Sequence, residues 1–318
     1  MSDCHDLFLK FLNNIRLADS KKDDLRSARD AIRDKIRTYF KDKLKKKVPE
    51  FQSQGSFAMS CVVNPLSGEF DIDDGVYLQN LDDDKSKWES PNTVHSWTLD
   101  AIRGHTKEEP IDKRTCVRVV YSGNYHVDLP IYGTYDQKPH LAEKEDAGWH
   151  TSDPVEYTNW FIGKVKEEGE QLRRVLIYLK AWADYKSTST SILSSFVLSI
   201  LTTNHYVSSD RDDVAFSGTV KNIYGSINKS QVIINPVDST ENVAERITDT
   251  QWKFSKDRFH TLLQRAGEAL KAENKEEASK IWRTEFGERF PEFKEPKEGI
   301  KPIKTSAPAI LGDDGRSA

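Results

Sequence analysis

Three carboxylates fall within four residues of the stretch EFDIDDGVYL: Asp71, Asp73 and Asp74, with no Lys or Arg between them. Like charges this close repel one another, so the cluster calls for a positive partner. Asp71 and Asp73 are two apart. On a strand they point to one face while Phe70 and Ile72 point to the other. That geometry sets them about 7 Å apart, close enough to share divalent cations. Mg²⁺ takes a few carboxylates and fills the rest of its shell with water and phosphate oxygens. A third carboxylate from a neighbouring strand would complete a two-metal site. Asp128 in YHVDLPIY is the best candidate, because flanking Val127 and Leu129 face the other way. Asp74 has the opposite parity and reads as a turn or ion-pair residue. His126 shares the parity of Asp128 and reads as a structural imidazole.

Gly55-Ser56 supplies a second element. A glycine before a serine lets the backbone approach a phosphate, and the hydroxyl and following amides can donate to it. Ser56 could equally cap a helix, which is compatible with phosphate binding because helix N-termini do both. A Gly-Ser pair alone says little. Followed by D-x-D and, some fifty residues later, by a lone strand Asp, it becomes a strong signal for a site that holds phosphate beside divalent cations.

The elements that must hold these residues are readable in outline. Leu7, Phe8, Phe11, Leu12 and Ile15 form one apolar helical stripe, and Leu25, Ala28, Ile32, Ile36 and Phe40 a second. The second helix ends in the lysine run Lys41 to Lys47, stopped by Pro49; lysines suit the negative end of a helix dipole. FDIDDGVYL alternates as a strand. CVRVVY (Cys116 to Tyr121) and YHVDLPIY (Tyr125 to Tyr132) read as a hairpin turning at Ser122-Gly123-Asn124, with Pro130 near a sheet edge or bulge. Between them lie a solvated turn at Asp82, Asp83 and Asp84 and a helix from Pro91 or Thr93. Trp160, Phe161, Val165, Leu172, Val175, Leu176, Leu179 and Trp182 predict one long amphipathic helix. SILSSFVLSILTTNHYV predicts a buried one, NPVDSTENVAERI a turn with helix caps at Asp238 or Ser239, and two polar helices cover Trp252–Ala272 and Glu276–Phe286. The Pro/Lys/Gly-rich end reads as an extended or disordered tail. No internal repeat is visible.

The chain of 318 residues, 31% of them charged and with net charge −4, is long enough for a large core and carries no global basic field toward nucleic acid. Cys4, Cys61 and Cys116 are too few and too far apart for a disulfide framework or a metal ribbon. The first residues lack a signal-peptide core and no later run could span a bilayer. The expectation is a cytoplasmic protein with no membrane partner.

QGSF, EFDIDDGVYL and YHVDLPIY together resemble the DNA polymerase β-like nucleotidyltransferase superfamily. Within it the chain resembles the bacterial cyclic GMP-AMP synthase/DncV-like enzymes, the CD-NTases. GWHTSDPVEYTNWF, LRRVLIYLKAW, SILSSFVL and NPVDSTENVAERI extend the resemblance over roughly Phe40 to Phe286. It implies an α+β fold: a nucleotidyltransferase core of mixed sheet and helices packed on a C-terminal helical domain, with the active site in the cleft between them. The implied division is N-terminal helices including a spine helix (1–47), catalytic core (48–148), helical domain (149–290) and flexible tail (291–318). It implies Asp71, Asp73 and Asp128 as the catalytic, metal-binding triad for two Mg²⁺, with Mn²⁺ as a substitute. Gln54, Gly55, Ser56, Lys180 and Ser194 are implied as nucleotide-binding residues, Lys180 and Ser194 on the triphosphate. The implied product is a cyclic di- or trinucleotide second messenger made from NTPs, ATP or GTP among them, in antiphage signalling. A separate effector would bind it, and partner proteins could act on the tail. An RNA 3′-end or linear 2′-5′ oligonucleotide transferase and a catalytically silent relative stay open as alternatives. Two departures stand out. The superfamily often has a second Gly shortly after the Gly-Ser pair where this chain has Ser60, and the loop NPLSGE lengthens the path to Asp71.

Overall fold

The computed structural model describes residues 2–145 and 148–295; most of the tail therefore lies outside the described residues. The two N-terminal stripes bury as their spacing predicts, in α1 (His5–Ile15) and α2 (Asp19–Tyr39). They enter different cores. The α1 stripe joins a cluster formed mainly by the C-terminal helices, and the α2 stripe joins a cluster built on the sheet. The α2 axis runs on through a π-helical turn, Phe40–Leu44, and stops where Lys45 turns left-handed.

The chain continues through β1 (Glu50–Gln54), the single turn α3 (Gly55–Ala58), β2 (Phe70–Tyr77) and α4 (Pro91–Ile102). Ser90 caps α4 by accepting from Thr93 N, and Pro91 opens its first turn. Then follow β3 (Ile111–Asp112), β4 (Val117–Tyr121), β5 (Tyr125–Leu129), β6 (Ile131–Tyr135), β7 (Lys138–Glu143) and β8 (Gly148–Thr151). The central strand is β2: it runs antiparallel to β1 along one edge and parallel to β5 and β6 along the other. The line from β5 to β6 is broken only at Pro130, whose missing N–H interrupts the ladder while its carbonyl still accepts from Val76 N at 2.8 Å. Beyond that break the sheet diverges, with β3 and β4 beside β5 and β7 and β8 beside β6. Ile72 and Val76 of β2 bury with Ile32 and Ile36 of α2 on one face of the sheet. The opposite face carries Asp71 and Asp73.

The C-terminal helices differ from the expectation in three places. The stripe from Trp160 to Trp182 belongs to two helices, α5 (Pro154–Glu168) and α6 (Glu170–Lys186), because Gly169 sits at φ 91, a conformation that ends a helix and that only glycine adopts freely. After α7 (Ser195–His205) comes α8 (Asp212–Ile227), which the sequence did not announce. Its glycines, Thr and Val are weak helix formers. Tertiary burial of Phe216, Val220, Ile223 and Ile227 holds it, as does Asp212, which accepts from Arg174 Nε at 2.7 Å and Tyr178 Oη at 2.8 Å. Asp238 and Ser239 cap no helix. They begin β10 (Asp238–Asn242), which pairs with β9 (Ile234–Asn235), and it is Asn242 that caps the short turn after it. Both polar helices are present, as α9 (Asp249–Lys271) and α10 (Lys275–Phe286). The ring of Phe8 meets Tyr178, Trp282 and Phe290 with centroids 5.0–5.3 Å apart, so α1 closes the helical core.

Candidate active site

A single row of residues crosses the sheet on its open face. Gln54 on β1 lies opposite Asp73 on β2, Asp73 opposite Asp128 on β5, and Asp128 opposite Arg118 on β4. Directly paired residues point to the same face, so strand register alone brings four polar side chains together. Asp71, two residues before Asp73, stands on that face and is exposed, whereas Asp128 is buried. Burial, then the charges of Asp71 and Asp128, push the Asp73 carboxyl up to about 7. Asp74 points the other way: it is fully buried, accepts from Arg33 Nε at 2.7 Å and bonds Ser53 Oγ at 3.2 Å. It is the ion-pair residue that its parity predicted.

Arg118 was missed in the sequence. It donates Nε to Asp128 Oδ1 at 2.6 Å and Nη2 to Asp128 Oδ2 at 2.7 Å, with Asp71 Oδ2 3.8 Å from Nη2. The signal was present, since a three-residue turn at Ser122–Asn124 places 118 opposite 128.

The Gly-Ser turn approaches the row from one side. Gly55 has φ 67, and a Cβ there would collide with Asp73 Oδ2, so only glycine permits this approach. Four residues after Ser56, Ser60 is itself left-handed at φ 56, so the backbone keeps a glycine-like turn where a serine stands. Lys180 on α6 donates to Ser56 Oγ at 2.8 Å and to the Cys61 carbonyl at 2.7 Å, and burial lowers its pKa. Ser194 caps α7, accepting from Val197 N at 3.4 Å. Ser56, Asp71, Lys180, Ser194 and Leu198 line one cleft of about 330 Å³ between sheet and helices. Gln54 does not line it: the side chain turns aside and donates to Tyr132 Oη at 3.2 Å. The longer loop after Cys61 has its own anchor. Arg289 donates to the carbonyls of Asn64 (3.0 Å) and Ala181 (2.9 Å) and pairs with Asp184, which accepts from Leu66 N at 3.0 Å.

The lysine run at the end of α2 is exposed apart from Leu44 within it, and Lys46 is engaged with Glu89 at 2.7 Å and with the ring of Trp97. The three cysteines are buried and unpaired. Among the described residues no helix is long and apolar enough to cross a membrane. No three acidic, His or Cys side chains among them already converge as a metal cage, which accords with Arg118 holding both oxygens of Asp128. The donor set still fits a divalent cation: hard carboxylate oxygens of three aspartates on one face, where burial and then the neighbouring carboxylates raise Asp73.

A mixed sheet with an aspartate pair on its central strand, a third aspartate on the parallel neighbour and a helical half across the cleft defines a polymerase β-like nucleotidyltransferase fold. Residues 49–132 match the family model described as cyclic GMP-AMP synthase DncV-like, nucleotidyltransferase domain. That segment is thus similar to the nucleotidyltransferase domain of the DncV-like family. It is 26% identical over 205 residues to a cyclic GMP-AMP synthase of Escherichia albertii, covering 61% of this chain and 45% of the relative. It is 25% identical over 229 residues to one of Escherichia coli, covering 54% and 51%. The chain therefore spans about half the length of these curated relatives. Vibrio cholerae DncV in complex with nonhydrolyzable GTP has the same fold, with a TM-score of 0.79 at 20% identity over 92% of this chain and 97% of that one. The same enzyme with the linear intermediate 5′ pppA(3′,5′)pG gives a TM-score of 0.77 at 21% identity over 92% and 98%.

Proposed function

We propose that this protein is a metal-dependent nucleotidyltransferase that joins NTPs into a cyclic di- or trinucleotide and releases pyrophosphate. The observation that carries it is that Asp71 lines one cleft with the Lys180–Ser56 pair, while Asp73 stands against Gly55 and Asp128 lies opposite Asp73 on the sheet. Metal ions held by the three aspartates would make a ribose hydroxyl more acidic and offset charge on the triphosphate. Ser56 Oγ and the amides of α3 donate to phosphate oxygens, and the Lys180 ammonium adds a compact charge beside them. The end of α7 at Ser194 contributes its positive pole to the same cleft. The three aspartates orient the attacking hydroxyl against the α-phosphorus, in line with the departing pyrophosphate. A second transfer in the same pocket closes the ring. In this reading residues 48–148 form the catalytic half and 149–290 the helical half. The product acts on a separate effector in antiphage signalling, inside the cytoplasm. The GTP- and pppApG-bound relatives support purine nucleotides as substrates. Regulation through the tail concerns residues outside those described.

The test is incubation of purified protein with all four α-labelled NTPs and Mg²⁺ or Mn²⁺, followed by phosphatase and mass spectrometry. A phosphatase-resistant product absent with Asp71→Ala supports the reading. A product that forms only with an added RNA primer and lengthens that primer nucleotide by nucleotide replaces it with the RNA-tailing alternative.

A further inference from the structure

Arg118 has no part in the mechanism just given, yet it has the closest polar contacts of any residue with the row. A guanidinium that donates Nε and Nη2 to the two oxygens of one carboxylate takes a lone pair on each. A divalent cation sits about 2.1 Å from a carboxylate oxygen when it is Mg²⁺. Two positive groups on the same oxygens repel each other, and each weakens the carboxylate as a partner for the other. The third carboxylate of the site is thus already matched with a cation of the protein's own. The same guanidinium stands 3.8 Å from Asp71 and counters the charge on Asp73.

We propose that Arg118 is a positioning residue that competes with metal for Asp128. Before metal arrives it holds Asp128 in place and screens the carboxylate row; when metal binds, Arg118 gives up at least one of its two contacts. Metal and arginine are alternative counter-ions of one carboxylate, so the free protein binds metal weakly until nucleotide phosphates add their own oxygens. This rests on the metal-dependent reading above. A plain cross-strand ion pair, the alternative role, would hold the sheet together and leave metal affinity unaffected by the shape of the cation.

The experiment is a Mn²⁺ titration of the nucleotide-free protein, followed by electron paramagnetic resonance, for wild type, Arg118→Met and Arg118→Lys. Arg118→Met is expected to bind Mn²⁺ at least tenfold more tightly. Arg118→Lys keeps the charge and loses the fork, and is expected to gain several-fold. A Lys variant equal to wild type assigns the effect to charge alone and overturns competition for the oxygens. If Arg118→Met does not fold, the Lys variant carries the test, and its gain or lack of gain decides. Mn²⁺ binding of equal strength in all three proteins overturns the proposal and leaves the metal reading intact. No Mn²⁺ binding in any, with ATP present, overturns the metal reading and this proposal with it.

Discussion

Replacing Asp73 with Asn should make the metal-free protein more stable, and by an amount that depends on pH. The Asp73 carboxyl sits at about 7 in the fold against 3.8 in a free chain. Between those values the folded state keeps a proton that the unfolded chain has released. Stability therefore falls as pH rises through the window, then stays level above it. At about 1.4 kcal/mol per unit, the raised Asp73 carboxyl costs the fold about 4 kcal/mol at pH 8, where it is ionised, and about 1.7 kcal/mol at pH 5, where it holds its proton. Asn has the same shape and no charge to desolvate. In EDTA, Asp73→Asn should gain about 4 kcal/mol at pH 8, which for a chain of this size is on the order of 6 °C in thermal midpoint. Its advantage should shrink by roughly 2.5 kcal/mol at pH 5. Saturating Mg²⁺ at pH 8 should stabilise wild type and not the variant, because only wild type supplies that ligand. Thermal and urea melts at the two pH values, each with EDTA and with Mg²⁺, measure all of this. An Asn variant no more stable than wild type at pH 8, or equally favoured at both pH values, would refute the argument from burial and neighbouring charge.

Three other substitutions test the surroundings of the row. Gly55→Ala forces a side chain into the left-handed region, at about 1–2 kcal/mol, and drives a Cβ into Asp73; nucleotide turnover should fall about a hundredfold, roughly 2.7 kcal/mol of transition-state stabilisation, read from initial rates. Lys180→Met should weaken binding of ATP at least tenfold in an equilibrium titration, and Lys180→Arg should not restore it, because the niche between Ser56 and the Cys61 carbonyl holds a compact ammonium. Arg289→Met releases the loop through Asn64 and Leu66 from α6; KM for nucleotide should rise several-fold with kcat within about twofold, and limited proteolysis should cut faster between residues 62 and 69.

The aspartates were legible in the sequence because strand parity admits one answer. Two residues two apart share a face, so Asp71 and Asp73 had to stand together and Asp74 had to leave them. Pairing with Asp128 needed only that the two strands be neighbours. Arg118 escaped notice because, in VRVV, a charged residue alternating with apolar ones looks like an ordinary solvent-facing position. The break at Gly169 was hidden because the apolar period runs unchanged across it, Val165 before and Leu172 after both being buried. Helix α8 was hidden for the opposite reason: its local propensity is poor, and the contacts that hold it, such as Arg174 to Asp212, come from a helix distant in sequence.

The adjacent aspartates Asp73 and Asp74 meet opposite fates on one strand, and the second makes the first usable. Three carboxylates on the open face repel one another, and a strand free to shift would relieve that by sliding or turning away. Behind β2, Arg33 on α2 holds Asp74 while Ser53 on β1 bonds the same carboxylate. A slip of one residue would expose Asp74 and carry Asp73 into the apolar face beside Ile32 and Ile36. Breaking the buried Arg33–Asp74 pair would itself cost about 3–5 kcal/mol, as much as the whole penalty on Asp73. The strand stays in register and the repulsion persists at the surface of the cleft. There it is relieved by a proton on Asp73 or by a cation: Arg118 and Lys180 from within the protein, or a metal from outside.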